Sequence, residues 1–402
     1  MYDVIIVGAG ASGCFLALTL KYKNPNLKVA LIEKNDKLGK KLLITGNGRC
    51  NLGNTNITID NYNSSSSLNN FISQLEENGY LNYLKNFGIL TKKEDTSTRL
   101  YPYSNQAITV CKSFERALEK EKVNVILDTD TYNECDDQFA LAYLIKSQDK
   151  FNIEAITVAP YSHTKRDVKV IDGQELSYNE ILKICNWLNF DYDNKVFKGS
   201  MDYVQNGYDE DNDAVNKIIE VALKNDKTYI MAIGTITNVA LAIKKEPKII
   251  NRIEIVWLGG NEPNYKDNLE FNFKQDVKAV KTVFNSDVKL TILPCHNVVN
   301  NLMIDVNTLK DKLENKSELC NYLMDRFYND GYHGVQNKRV IWDISVIAYM
   351  INKNWFETKD VCCPIIKDDT SYEPTNNKRM ITFVTKLDKD KIYEDLFKKL
   401  GE

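Results

Sequence analysis

Residues 123–137 read VNVILDTDTYNECDD, and this stretch decides the fold of the segment that contains it. Its first five residues are largely apolar and β-branched, which is typical of a buried parallel strand. The strand places Asp128 and Asp130 at its carboxyl end, and Asp136 and Asp137 then precede an apolar helix predicted over 139–145. Open α/β folds bind ligands at the carboxyl ends of their strands. The stretch therefore predicts an α/β fold with a ligand site beside the aspartates.

The four aspartates of this stretch lie within ten residues of one another. Like charges at that density repel, and burying any one of them costs free energy. A divalent cation would remove the repulsion, and hard carboxylate oxygens favour Ca²⁺ or Mg²⁺ over zinc. The alternative is a solvated acidic turn whose carboxylates cap the helix. From this segment alone, both interpretations stand.

Later segments repeat the strand-to-helix pattern and carry polar residues at each junction. They read MAIGTITN at 231–238, WLGGN at 257–261, EFN at 270–272 and VIWD at 340–343. Together they resemble the inosine–uridine-preferring nucleoside hydrolases, and the resemblance covers about residues 123–402. It implies an open α/β domain with a mostly parallel central sheet. It also implies a Ca²⁺-dependent hydrolase that cleaves the N-glycosidic bond of ribonucleosides to give ribose and free base.

The resemblance further implies roles for individual residues. The calcium ligands would be the carboxylates of Asp130, Asp137 and Asp343 and the backbone carbonyl of Ile233. Asp130 would also act as the general base toward the attacking water. The residues implied to hold the ribose hydroxyls are Asp136, Asn264, Glu270 and Asn272. The spacing of the last three favours a loop and a strand end over one face of a helix.

Protonation of the leaving base is the step at which the sequence departs from the family. Many members have a histidine immediately before the last aspartate, where this chain has Trp342. Trp342 could stack on the base, or it could be an ordinary core tryptophan. Among the three histidines, His333 is a candidate proton donor, His163 a candidate substrate contact and His296 a weaker functional candidate. A structural or surface histidine is the alternative in each case.

The first 33 residues show a second, separate pattern. A strand at 3–7 runs into GAGASG at 8–13, and a helix over 14–20 and a strand over 28–32 follow, ending at Glu33. This is the dinucleotide-binding fingerprint in its full context. With TGNGRCN at 45–51 and RLYPYS at 99–104, it resembles the aminoacetone-oxidase-like FAD flavoproteins over about residues 1–128.

The flavoprotein resemblance implies FAD as a cofactor. The residues implied at its ADP half are Gly8, Gly10, Gly13 and Glu33, and those near the isoalloxazine are Gly46 and Asn47. The sequence shows no second glycine-rich return to the flavin after residue 128, so we expect a partial Rossmann-like βαβ unit with uncovered apolar faces. FAD binding therefore stays open.

Two domains are predicted, a partial flavoprotein-like domain at 1–122 and a nucleoside hydrolase domain at 123–402. Nucleoside hydrolysis is the main functional hypothesis. The alternatives are an FAD-dependent oxidoreductase and a non-catalytic fusion remnant. Hydrolase family members are often dimers or tetramers, so a homo-oligomer is also an open alternative.

The composition excludes several classes of partner. The 402 residues carry a net charge of −3, which argues against a nucleic-acid polymer or an anionic membrane as partner. The nine cysteines form no C-x-x-C pair, and the apolar start of the chain lacks the basic region of a signal peptide. Reduced thiols and the lack of a targeting segment predict a cytoplasmic protein.

Overall fold

The computed structural model describes residues 2–24, 27–35, 37–57, 79–118, 122–329 and 335–401. The chain divides into two compact units, Met1–Glu121 and Lys122–Glu402. None of the described helices combines the length and the apolar composition that crossing a membrane requires.

The first unit contains the predicted strand–helix–strand motif. Strands β1 (Val4–Val7) and β2 (Val29–Ile32) pair in parallel across helix α1 (Ala11–Lys23). An antiparallel sheet of three short strands and two further helices complete the described part: β3 (Gly53–Asn54), β4 (Thr91–Lys93), β5 (Arg99–Pro102), α2 (Tyr80–Asn86) and α3 (Ala107–Leu118). Within the described residues, the core of this unit is small because few elements surround it.

Strands β1 and β2 form a sheet of their own with an apolar surface in contact with solvent. The exposed fractions of Ile5, Val7 and Ile32 are 59%, 82% and 52%. In a complete doubly wound domain, further strands and helices would cover such residues. Among its described residues, the unit is thus a βαβ motif without the layers that usually enclose it.

The second unit is built on one eight-stranded sheet. Its strands are β6 (Val123–Thr129), β7 (Phe151–Val158), β8 (Val196–Phe197), β9 (Thr228–Ala232), β10 (Ile253–Leu258), β11 (Lys289–Leu293), β14 (Phe356–Cys362) and β17 (Met380–Leu387). The spatial order is β14-β17-β11-β10-β9-β6-β7-β8, and only the edge strand β14 runs antiparallel to its neighbour. The predicted mostly parallel sheet is confirmed.

Helices and short strand pairs connect and cover this sheet. The helices are α4 (Asp136–Ile145), α5 (Val170–Trp187), α6 (Asp213–Lys224), α7 (Thr237–Lys245), α8 (Phe271–Gln275), α9 (Val277–Asn285), α10 (Val306–Leu313), α11 (Glu318–Tyr328), α12 (Ile344–Ile351) and α13 (Lys389–Gly401). The short pairs are β12 (Met303–Asp305) with β13 (Lys338–Val340) and β15 (Ile365–Ile366) with β16 (Tyr372–Glu373).

Both faces of the sheet are buried at its inner strands. In β6, Val125 and Leu127 belong to one apolar cluster while Ile126 belongs to the other. Successive side chains of a strand point to opposite faces, so a strand covered on both sides needs an unbroken apolar run. This explains the composition of residues 125–127.

The strand order reverses at β6. From β6 the chain proceeds to β7 and β8 on one side, and then to β9, β10 and β11 on the other. Connections leave in opposite directions at such a point, so a crevice opens at the carboxyl ends of the strands. Asp130 lies directly after β6, at the position that this topology favours for a ligand.

The structure corrects one expectation about local structure. Glu270 and Asn272 do not lie at a strand end, because Glu270 is the N-cap of helix α8 and Asn272 is its second residue. The helix has only five residues, which is too short for the 3.6-residue periodicity by which helices are recognised in sequences.

Candidate active site

A cavity of about 410 Å³ lies where β6, β9, β10 and β11 end. The predicted site residues that line it are Asp130, Asp136, Asp137, Ile233, Glu270, Asn272, Trp342 and Asp343. A larger depression of about 630 Å³, lined by residues of β12, α10 and α13, contains none of the predicted site residues. These eight residues therefore share one cavity although they are up to 213 positions apart in the chain, from Asp130 to Asp343.

Three carboxylates form the centre of this cavity. Asp136, Asp137 and Asp343 each offer an oxygen within 4.8 Å of the other two, and all three residues are buried. Helix α4 begins at Asp136, and Asp343 is the N-cap of α12. The positive ends of two helix dipoles thus lie beside the negative charges, which stabilises them.

Hydrogen bonds fix the orientation of two of these carboxylates. Oδ2 of Asp136 accepts the backbone N–H of Trp342 at 3.0 Å and that of Asp343 at 3.3 Å. Oδ1 of Asp137 accepts the hydroxyl of Thr129 at 2.8 Å. The bonds to Asp136 join the start of α4 to the start of α12, so the two distant parts of the chain are held together at the site.

Asp130 lies beside this cluster and is confined by its neighbours. A Cβ added to Gly234 would lie 2.8 Å from Oδ1 of Asp130, so only glycine fits there without displacement. Oδ2 of Asp130 is buried and makes no hydrogen bond to the described residues. A buried carboxylate oxygen without a partner is costly, which indicates that a ligand belongs there.

The arrangement differs in one respect from the roles implied by the resemblance. The resemblance makes Asp130 a metal ligand and Asp136 a ribose contact, whereas the three closely grouped carboxylates are those of Asp136, Asp137 and Asp343. Asp130 still lies close enough to raise the pKa of Asp343. All four carboxylates line the same cavity, so each is available to a cation or a sugar hydroxyl.

Burial raises the pKa of all four carboxyl groups. For Asp130 and Asp136, the negative charge of Asp137 adds to the effect of burial. For Asp343, burial is followed by repulsion from Asp136 and then from Asp137. Burial is also the main cause for Asp137, and the hydroxyl of Thr129 opposes it. A divalent cation would favour the ionised form of every group and reverse these shifts.

Of the residues implied for ribose binding, Glu270 and Asn272 line the cavity and hydrogen-bond within the protein. Glu270 accepts the backbone N–H groups of Gly260, Asn272 and Phe273 at 2.8–3.0 Å, as the cap of α8. The amide of Asn272 donates to the carbonyl of Ile233 at 3.0 Å, the same carbonyl that the resemblance makes a metal ligand. Asn264 is not among the described residues that line the cavity.

Trp342 combines the two alternatives that the sequence left open. Its side chain lines the cavity and also packs against the larger apolar cluster of the unit. One part of the indole is therefore available to a ligand while another part stabilises the core.

The three histidines fall in different places. His296 lines the cavity. His163 is buried and stacks on Phe271, with ring centroids 5.9 Å apart, and it is not among the described lining residues. His333 lies outside the described residues.

Sequence reasoning gave no role to Asn238, a buried residue of α7 that joins β6, β7 and the segment after β8 by hydrogen bonds. Its amide nitrogen donates to Oδ1 of Asp128 and to the carbonyl of Val158, both at 2.9 Å. Its oxygen accepts the backbone N–H and the hydroxyl of Ser200, each at 2.9 Å. An asparagine at the start of a helix after a strand was the only signal in the sequence, and it does not identify these partners.

In the first unit, the glycine-rich turn has the close packing that its motif requires. A Cβ on Gly13 would lie 1.9 Å from the carbonyl oxygen of Gly8, whereas Gly8 and Gly10 face open space. Oε2 of Glu33 accepts the backbone N–H of Ala9 at 2.7 Å, so this carboxylate supports the turn itself. Bonds from Asn35, followed by that from Ala9, lower the pKa of Glu33.

The loop implied to lie near the isoalloxazine has a conformation that favours its residues. Gly46 and Asn47 have φ angles of 57° and 56°, in the left-handed region. Glycine and asparagine adopt this region at the lowest cost. A cavity of about 280 Å³ in this unit is lined by other residues, among them Ile89 and Val110.

Two family models match the chain, one for each unit with an overlap. The model described as "Inosine-uridine preferring nucleoside hydrolase" matches residues 125–394. The model described as "HI0933-like protein Rossmann domain" matches residues 2–165. The two matches overlap over 125–165, which includes most of strand β6 and all of strand β7.

Two curated relatives each match part of the chain. A 3-dehydro-bile acid delta(4,6)-reductase from Clostridium scindens is 32% identical over 127 residues, which is 31% of this chain and 31% of the reductase. The pyrimidine-specific ribonucleoside hydrolase RihB of Shigella flexneri is 28% identical over 163 residues, which is 38% of this chain and 51% of that protein. The chain thus spans about a third and about half of the lengths of these two relatives.

Solved structures resemble the second unit in fold. A plant nucleoside hydrolase has a TM-score of 0.56 at 16% identity, covering 69% of this chain and 99% of its own. A purine-preferring ribonucleoside hydrolase from Gardnerella vaginalis has a TM-score of 0.55 at 19% identity, covering 69% and 98%. The first unit is Rossmann-like. Because the nucleoside hydrolase model matches most of the chain, the chain belongs to the inosine–uridine-preferring nucleoside hydrolase family.

Proposed function

We propose that residues 123–402 hydrolyse the N-glycosidic bond of ribonucleosides, giving ribose and free base, with Ca²⁺ as the required metal. The observation that carries the proposal is the meeting of Asp136, Asp137 and Asp343 in one cavity beside Asp130. Carboxylates from distant parts of a chain rarely share a buried space unless a cation compensates their charges.

The residues present fit a hard divalent cation. Every side chain in the cluster offers carboxylate oxygens, the ligands that Ca²⁺ prefers. The unpartnered Oδ2 of Asp130 supplies a further oxygen, and Ile233, whose carbonyl accepts the amide of Asn272, lines the same cavity. When bound, such a cation supplies positive charge that makes a water more acidic and attracts the ribose hydroxyls.

The residues of the chain would carry the remaining chemistry. Asp130 would take the proton of the water that attacks C1′ of the ribose, using the oxygen that has no hydrogen bond in the protein. Positive charge develops on the sugar as the bond to the base breaks. The carboxylates of Asp136 and Glu270 line the same cavity and would stabilise that charge.

Substrate contacts are proposed for five residues, four of which line the cavity. Asp136, Glu270 and Asn272 would hold ribose hydroxyls, and Asn264 would reach them from the loop before α8. Trp342 would stack on the base with the part of its indole that faces the cavity. Burial of His163 against Phe271 does not support a direct substrate contact for that histidine.

Removal of the metal tests this function. Purified full-length protein should hydrolyse inosine or uridine, EDTA should abolish the activity, and added Ca²⁺ should restore it. Release of free base can be followed by its ultraviolet absorbance, with Mg²⁺ and Zn²⁺ added in parallel as comparisons. Activity that EDTA leaves unchanged would contradict the metal-dependent mechanism.

A second candidate function, FAD binding by the first unit, is favoured by the packing of Gly13 on Gly8. In this motif the missing side chains let a pyrophosphate approach the backbone. The residues present fit the ADP half of the cofactor, with Glu33 beside the turn. Purified protein with flavin absorbance would support an FAD-dependent oxidoreductase, and colourless protein that takes up no added FAD would remove it.

We also propose a cytoplasmic location. All nine cysteines are free thiols, and seven of them are buried. Proteins of oxidising compartments commonly use their cysteines in disulfides, whereas reducing compartments keep them as thiols.

A further inference from the structure

A histidine, a glutamate and a tyrosine form a small group at the cavity described above. His296 and Tyr265 both line the cavity. Nδ1 of His296 lies 3.2 Å from Oε1 of Glu262, and its ring packs on the ring of Tyr265 with centroids 4.1 Å apart. The side chain of His296 is 39% exposed, so a bound ligand can reach it.

The sheet sets the position of this group. Glu262 lies on the loop after β10 and His296 on the loop after β11, and these two strands are parallel neighbours. The backbone N–H of Cys295 donates to the carbonyl of Gly260 at 2.9 Å and ties the two loops together. The backbone N–H of His296 donates to the amide oxygen of Asn261 at 3.3 Å. The histidine is thus held at both its backbone and its ring.

The contacts of the ring prepare it to donate a proton. The carboxylate of Glu262 occupies Nδ1, which orients the imidazole and can balance the charge of an imidazolium. The ring of Tyr265 offers a face that also attracts a cation. Within the part of the chain that the structure describes, Nε2 of His296 makes no hydrogen bond. One ring nitrogen is therefore held by the protein, and the other is available.

We propose that His296 is the acid that protonates the leaving base, and that Glu262 is the positioning residue behind it. This proposal rests on the proposed function and specifies its leaving-group step. The electron pair of the breaking C1′–N bond stays with the base, which takes the proton from Nε2 of His296. The water adds its oxygen to C1′ and gives a proton to Asp130. Exchange of protons with solvent then restores both residues.

Trp342, which lines the same cavity, cannot act as a proton donor of this kind. Trp342 occupies the position where the resemblance implies a histidine, but an indole N–H can only donate a hydrogen bond and is not released as a proton at neutral pH. An imidazole changes its charge in the neutral range, which makes it the side chain best suited to this transfer. His296, on the loop after β11, would supply the proton donor that Trp342 cannot provide.

A comparison of two leaving groups tests the proposal. Nitrophenolate departs without protonation, whereas hypoxanthine and uracil depart more easily when protonated, so loss of an acid affects only the nucleosides. In the presence of Ca²⁺, His296→Ala and His296→Gln should lower kcat/KM on inosine and uridine by about 10²- to 10⁴-fold. The loss should lie mainly in kcat. Their kcat/KM on p-nitrophenyl β-D-riboside should change by less than tenfold. Glu262→Gln should show a smaller loss with the same selectivity.

A matched control separates this role from a structural one. His163→Gln changes a histidine that stacks on Phe271 and does not line the cavity, so it should shift both kinds of substrate together. Melting temperatures of all variants show whether each remains folded. Equal losses on nucleosides and nitrophenyl riboside in the His296 variants would overturn the proposal, as would full activity on nucleosides.

The wild-type protein distinguishes failure of this proposal from failure of the proposed function. Wild-type hydrolysis of the nitrophenyl riboside supports ribosyl hydrolysis whatever the His296 variants do. Hydrolysis of both substrates by the wild type, with equal losses on both in the His296 variants, would overturn the acid alone. Hydrolysis of the riboside without any hydrolysis of nucleosides would overturn the proposed nucleoside hydrolysis and the acid with it. No hydrolysis of either substrate with Ca²⁺ present would overturn the function and the acid with it.

Discussion

Neighbouring groups have opposing effects on the ionisation of Asp136. Burial and the charge of Asp137 disfavour its ionised form, while the backbone N–H groups of Trp342 and Asp343 favour it. The same balance applies to its neighbours in the cluster, where burial and repulsion raise the pKa. The cluster therefore costs stability as a set of bare charges, and it would contribute stability if the proposed cation were bound.

Substitution of Asp137 by asparagine separates these two effects. Without metal, Asp137→Asn should melt at the same temperature as the wild type or higher, because a buried charge is removed and the bond from Thr129 can remain. With Ca²⁺ at about 100 times its Kd, binding stabilises the wild type by about 2.7 kcal/mol. We expect the wild type to melt a few degrees higher on addition of Ca²⁺ and the variant to show no shift.

Thermal melts with and without Ca²⁺ measure this difference. Asp209→Asn is a suitable control, because it removes a carboxylate from a half-exposed ion pair with Lys244 and should keep the full response to Ca²⁺. An equal Ca²⁺ response in the Asp137 variant would contradict a metal site at this cluster.

Gly234 gives a test of how closely Asp130 is positioned. A Cβ at this residue would lie 2.8 Å from both Oδ1 of Asp130 and the Cβ of Ala159, so Gly234→Ala must displace the carboxylate. A displacement of about 1 Å at a catalytic group can cost on the order of 10²-fold in rate. We expect such a loss in kcat on inosine. Gly401→Ala, where nothing lies within 4 Å of the added Cβ, should retain wild-type kcat.

At the scale of secondary structure, the strand-end positions were predictable and the contacts between elements were not. The apolar run of β6 and the aspartates after it indicate a strand that ends at a ligand site. The bonds from Trp342 and Asp343 to Asp136 depend on how α12 approaches α4, which no local pattern encodes. The same holds for Glu262 and His296, which meet only because β10 and β11 are neighbours.

The stability of the junction between β6, β7 and α7 should depend strongly on Asn238. Asn238→Ala removes two donors from buried acceptors and leaves the buried carboxylate of Asp128 with fewer partners. Each unsatisfied buried group costs about 1–3 kcal/mol, so we expect a loss of about 3 kcal/mol in the free energy of unfolding. Urea denaturation measures it.

A half-buried asparagine elsewhere provides the comparison. Asn225→Ala removes bonds to the carbonyl of Val221 and to Glu154 near the surface, where water can replace them. The loss should stay below about 1 kcal/mol. Similar losses in the two variants would show that the bonds of Asn238 have no special importance.

At the scale of the whole molecule, the two units differ in how fully their apolar surfaces are covered. The inner strands of the eight-stranded sheet are buried on both faces, whereas β1 and β2 expose Ile5, Val7 and Ile32. The sequence predicts this contrast because the first pattern lacks the later segments of a flavoprotein. The sequence does not define the boundary between the two units sharply, because the strand-and-helix pattern at β6 suits both family models. The two matches overlap over 125–165.

Limited proteolysis should show the difference in stability between the units. A small core opens more easily, so we expect trypsin to degrade the first unit and to leave a resistant fragment that begins near Lys122. Mass spectrometry identifies the fragment, and a Ca²⁺-dependent rise in its melting temperature would show that the metal site survives. Simultaneous digestion of both units would contradict two units of unequal stability.

The central position of β6 has a consequence for protein synthesis. Its partner on one side, β7, follows closely in the chain, but Val125 pairs on the other side with Tyr229, about a hundred residues later. At roughly 5–20 residues per second, the ribosome needs about 5–20 s to deliver that second partner. During this interval one edge of the strand is open on the nascent chain, where a chaperone or a wrong strand can occupy it before β9 emerges.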